Sequence, residues 1–77
     1  MSKLRFVWEF FGPDSNQLAK HHHIHLNEFF SKENISNINT GVEEESSNFS
    51  YSYVIIDDSY LELIKASLRP HKAFKEH

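Results

Sequence analysis

Seventy-seven residues with 39% hydrophobic, 25% charged and 14% aromatic side chains describe one small globular domain spanning 1–77 and exclude two. The absence of cysteine excludes disulfide frameworks, thiolate metal sites and cysteine nucleophiles, so any metal must be held by His and carboxylates. The formal net charge of -3 argues against nucleic acid and anionic lipid as partners, and neither a spanning segment nor an apolar leader is visible, which leads us to expect a soluble, cytoplasmic protein.

Leu4, Phe6, Trp8 and Phe10 alternate with Arg5, Val7, Glu9 and Phe11, a period of two that predicts a first strand, broken by Gly12-Pro13. Asp14 and Gln17 have capping-box spacing, so a helix is expected from there to about Glu33. Asn34 provides a left-handed stop, and Ile35 is placed to fold back on Phe30. On the helical wheel Leu18, His22, Leu26 and Phe29 share the core face, with Ala19 and Phe30 beside it. Ile38, Thr40 and Val42 then form a polar strand suited to a sheet edge, and Glu43-Glu44-Glu45 with Ser46-Ser47-Asn48 supply the turn after it. Phe49 to Ile56 reads as a central strand with Phe49, Tyr51, Tyr53 and Ile55 on one face and Val54 and Ile56 on the other. Ser59 with Glu62 predicts a second capping box, and Leu61, Ile64 and Leu68 an apolar stripe on a helix ending at Arg69-Pro70. Residues 71–77 hold one large apolar group, Phe74, and either dock through it or stay loose as a tail.

The order β-α-β-β-α implies an α+β domain whose three-stranded sheet has the order 2-3-1, with two helices on one face: a ferredoxin-like arrangement lacking its last strand. That leaves the first strand as an edge and one sheet face uncovered, liabilities that a homodimer through the edge or the aromatic face would remove.

Four of the six His lie in Lys20-His21-His22-His23-Ile24-His25, inside the first helical pattern. His21, His25 and Glu28 fall on one stripe at i, i+4 and i+7, a donor set that suits Zn or another transition metal, with His71 or Glu44 as candidate further ligands. The bland reading of the same stripe is a solvated helix flank. His22 faces the core, where it is either a satisfied buried ring with Tyr51 or Tyr53 as partner or a general acid or base in a pocket with Tyr51 and Glu9 or Glu44. Phe49, Tyr51 and Tyr53, with Trp8, Phe6 and Phe10, make two neighbouring aromatic rows, better suited to core or dimer packing than to stacking bases because only Lys3 and Arg5 lie near. Arg69 and His71, with Lys65, Lys72 and Lys75, form a basic cluster that the helix dipole explains, or that binds an anion in trans.

The strings Val7-Trp8-Glu9-Phe10-Phe11-Gly12-Pro13, His21-His22-His23-Ile24-His25-Leu26, Gly41-Val42-Glu43-Glu44 and Leu68-Arg69-Pro70-His71 resemble small bacterial α+β proteins of about this length. The likeness spans most of the chain and implies a complete protein, but no activity, cofactor or catalytic residue. No phosphate-cradling loop, nucleophile elbow or zinc-helix motif occurs. The function expected is therefore that of a non-catalytic binding or interaction protein that self-associates, with Trp8, His22, Tyr51, Tyr53, Arg69 and His71 as binding residues. The alternative is a small-molecule or metal-dependent site built on His21, His22 and His25.

Overall fold

The computed structural model describes residues 2–76. Along it run β1 (Lys3–Phe11), α1 (Ser15–Lys32), β2 (Asn39–Ser46), β3 (Phe49–Asp57), a 3-10 turn (Asp58–Tyr60), α2 (Leu61–Leu68) and β4 (Lys72–Glu76). The strands form one antiparallel sheet of order β2-β3-β1-β4. The expected order 2-3-1 is present inside it, and the sheet gains a fourth strand. Lys72–Glu76 pairs along β1 from Val7↔Lys72 to Lys3↔Glu76, so most of the expected tail is a strand; His77 lies outside the described residues. A single apolar residue made this segment unreadable as a strand, yet the unpaired backbone of β1 offers any extended segment a ladder. β1 is consequently interior, and the two edges are β2 and β4.

Alternation along β1 and β3 sends Phe6, Trp8, Val54 and Ile56 to the face covered by Leu26 and Phe30 of α1 and Ile64 of α2, forming the core. Leu4, Phe10, Phe29, Ile35, Ile38, Leu61 and Leu68 pack around it, partly buried. The buried stripe of α1 is Ser15, Ala19, Leu26 and Phe30, rotated from the expected one so that Leu18 is 49% exposed. The reason is size: Ser15 faces the equally small Ser50 of β3 and Ala19 is fully buried one turn on, and small side chains let the N-terminal half of the helix approach the sheet closely. The Ser15 hydroxyl donates to Ser50 Oγ at 3.4 Å.

The helix ends divide by outcome. At the C-terminus of α1, Asn34 has φ 58°, its amide donates to the Ser31 carbonyl at 3.1 Å, and the Ile35 amide donates to the Phe30 carbonyl at 2.9 Å, the paired bonds of a Schellman ending. At its start, Asp14 makes no side-chain capping bond. Before α2, the cap is Asp57, which accepts from the Ser59 amide at 2.9 Å, in place of the expected Ser59–Glu62 box. The acidic run is not a turn: Glu43 to Ser46 continue β2 past an irregularity between Glu44 and Ser46, and only Ser47 and Asn48 connect the hairpin.

Candidate functional site

Directly opposed residues share a sheet face, so the pairs Val7↔Tyr53, Glu9↔Tyr51, Phe11↔Phe49 and Arg5↔Phe74 all lie on the face away from the helices. There Phe11 and Phe49 stack with centroids 4.8 Å apart and planes 12° apart, and Phe49, Tyr51 and Tyr53 follow at 6.2 and 6.3 Å. Four rings thus run continuously along the sheet. Tyr53 lies flat over Gly41, whose missing side chain makes the room: a Cβ there would sit 2.7 Å from the Tyr53 hydroxyl. The expected pairing of this row with Phe6, Trp8 and Phe10 does not occur, because β1 and β3 pair with the even-numbered residues of both strands on the helix side. Trp8 is core, 3% exposed, with its indole N–H donating to the Leu68 carbonyl at 2.7 Å.

Charges frame the uncovered face. On the β1–β4 side, Arg5 Nη2 lies 3.3 Å from both carboxylate oxygens of Glu76, and Lys72 Nζ lies 2.9 Å from Glu9. Arg5 Nε is buried and, among the described residues, is the one buried side-chain polar atom without a partner. On the other side, Glu43 of β2 stands opposite Tyr51. Burial, with Glu45 and Glu43 next in effect, raises the Tyr51 phenol above its ordinary value. Between Arg5, Val7, Tyr51, Lys72 and Phe74 lies an open cleft of about 250 Å³. A larger crevice of about 350 Å³, near Asn34, Asn37, Asp57 and Ser59, is remote from the candidate binding residues and is lined by groups that shape the turns there.

No family model, curated protein or solved structure matches this chain.

His22 sits on the helix side, with its ring 4.9 Å from Trp8 and 5.6 Å from Phe10 and its Nδ1 2.7 Å from Ser52 Oγ. Its partner is Ser52, not Tyr51 or Tyr53, and the sheet stands between it and Tyr51 and Glu9, so the expected acid-base pocket with those residues is not formed. Burial first, then the neighbouring His25, His71 and His23, lower His22 from 6.5 to about 4. A serine 2.7 Å from an imidazole is the spacing of an activated nucleophile, but Ser52 is fully buried beneath the helix. The strand alternation did carry this signal, since Ser50 and Ser52 share the parity of Val54 and Ile56.

The remaining His of the cluster separate. His23 Nε2 approaches Asn27 Nδ2 at 3.4 Å. His21 and His25 turn their Nε2 atoms to within 2.9 Å of each other, and His25 Nδ1 donates to Glu28 at 3.2 Å. Glu28 therefore meets the opposite nitrogen of the His25 ring and does not converge with the other two as the third ligand expected. Among the described residues no group of three or more His, Asp or Glu is placed to hold one ion, so neither His71 nor Glu44 completes such a set. His71 is engaged elsewhere: its Nδ1 accepts from the Glu9 amide at 2.8 Å, and its own amide donates to the Val7 carbonyl at 2.9 Å, so it closes the end of the β1–β4 pairing. Arg69 holds the left-handed φ of 48° at the end of α2, and its amide donates to Ile64. Both roles belong to chain architecture. Among the described residues no helix is long and apolar enough to cross a membrane.

Proposed function

We propose that this protein is a non-catalytic interaction module whose uncovered sheet face binds a second copy of the same chain. The observation that carries the reading is the continuous row Phe11-Phe49-Tyr51-Tyr53 on the face without helices. Phe11 is 69% and Phe74 50% exposed there, a cost in water that a partner surface removes. Charge orients the partner: the face is acidic at Glu43 on its β2 side, whereas on its β1–β4 side Arg5 and Lys72 are matched by Glu76 and Glu9. A two-fold axis parallel to the strands lays β2 of one copy over β4 of the other, which keeps the two acidic β2 strands apart and sets Glu43 near Lys72. A stable interface of ~800 Å² per partner is about one sixth of the 5150 Å² accessible surface, the scale of one sheet face.

Sedimentation equilibrium tests this between low and several hundred micromolar. A dimer is expected for the natural chain, and a folded monomer for Tyr51→Lys, whereas Ile24→Lys on the exposed flank of α1 leaves the dimer intact. A natural chain that stays monomeric throughout refutes the reading.

A further inference from the structure

Of the clusters left unused by the interaction face, the pair His21 and His25 carries the most chemistry. Both rings are exposed on α1, one turn apart, with centroids 4.5 Å apart and planes at 74°. Their Nε2 atoms point at each other across 2.9 Å, and no other element of the fold supplies either with a hydrogen-bond partner among the described residues. The proton positions follow from Glu28. A carboxylate only accepts, so the proton of neutral His25 is on Nδ1, where it donates to Glu28 at 3.2 Å. His25 Nε2 is then a bare lone pair, and it is His21 that donates across the short contact. A lone pair on one nitrogen of the ring, backed by a carboxylate on the other, is the arrangement that orients metal-bound imidazoles.

We propose that His21 and His25 form a two-nitrogen site for a divalent transition ion of the zinc and copper class, with Glu28 orienting His25 from outside the coordination sphere. Binding needs His21 to move its proton from Nε2 to Nδ1, an exchange between tautomers that solvent mediates and that leaves the charge of the ring unchanged. Metal–nitrogen bonds of ~2.0–2.1 Å at a tetrahedral angle place the two nitrogens ~3.3 Å apart. The rings must open by only ~0.4 Å from their present separation, within the freedom of exposed side chains. Two protein nitrogens leave the remaining positions to water, so the ion is exchangeable and its affinity rests on this pair. Imidazole nitrogen selects zinc or copper over the oxygen-seeking calcium and magnesium. The other His of the run do not compete: His22 is turned inward to Ser52 and His23 toward Asn27.

The test is a zinc chloride titration of chelator-washed full-length chain, followed by long-range nitrogen–proton spectra of the imidazoles. Nε2 of His21 and of His25 is expected to shift together and saturate at one ion per chain. His21→Ala and His25→Ala each lose at least tenfold in affinity, while His23→Ala loses less than twofold. Glu28→Gln, which keeps both ligands, weakens binding by about tenfold, the effect of an outer orienting group. Magnesium at the same concentrations shifts neither ring. Because all four substitutions lie on exposed positions or the helix flank, unchanged circular dichroism separates metal loss from unfolding. Equal losses for His21→Ala and His23→Ala, or shifts that fail to saturate, overturn the site.

Discussion

His22 couples the core to pH. Its ring is wedged between Trp8, Phe10 and Ser52, where burial holds it at about 4, well below the 6.5 of a free imidazole. The unfolded chain takes up a proton at His22 through pH 6.5, whereas the folded chain resists until about 4. Between those values the unfolded state binds more protons, so stability falls as the pH falls and the full loss is reached below about 4. Discounted for the solvent screening of a part-buried ring, the loss is ~2 kcal/mol. Urea midpoints measured from pH 7.5 to pH 4 are expected to decline for the natural chain more steeply than for His22→Gln, which preserves a polar partner for Ser52 without a group titrating in this range. Parallel curves for the two proteins refute the assignment. At this scale the helical spacing already placed His22 on the core side, but it did not name the partner. Tyr51 and Tyr53 stand out in the sequence and Ser52 does not, although only Ser52 has the strand parity that meets the helix.

Elements were legible where local chemistry and tertiary packing agree. Asn34 followed by Ile35 specifies a left-handed helix ending whose hydrogen bonds are all local, and the structure forms it. Caps were less legible, because Asp57 and Ser59 both offer oxygens and the 3-10 turn before α2 selects the earlier one. β4 was not legible at all. It carries Lys72, Lys75 and Glu76 around Phe74, and its strand character comes from the ladder that β1 extends to it. A chain ending at Pro70 is expected to lose on the order of 3 kcal/mol, a few ladder bonds at ~1 kcal/mol net each. A drop in urea midpoint with Trp8 fluorescence shifted toward that of a wetter indole is the expected result, since β4 flanks Val7 and Phe6 beside Trp8. An unchanged midpoint would show that the tail contributes nothing to the fold.

At the scale of the molecule, sheet order decides which charges share a face. β2 and β4 are the outer strands, one bearing Glu43, Glu44 and Glu45 and the other Lys72 and Lys75 beside Glu76, so two-fold pairing of the β2 edges sets like charges against each other. Face-to-face pairing with β2 over β4 avoids that repulsion. Glu43→Lys and Lys72→Glu are each expected to weaken the dimer several-fold, and the double exchange to recover much of the loss, read as dissociation constants at low salt. Failure of the double variant to recover would reject this orientation while leaving self-association open to the Tyr51→Lys test.

The sequence by itself determined the α+β class, the alternations of β1 and β3, both helices and the adjacency of β2, β3 and β1, because each follows from side-chain period and from short connections that permit few topologies. It also set the i, i+4 spacing of His21 and His25. Only the tertiary structure decided that β4 completes the sheet, that Trp8 is buried core while Tyr51 and Tyr53 lie half-buried on the opposite face, and that Glu28 meets the far nitrogen of His25. These depend on which strand pairs beside which and on how each ring rotates. Strand pairing joins segments distant in sequence, and ring rotation answers to the neighbours that folding provides, so neither is encoded in a local pattern.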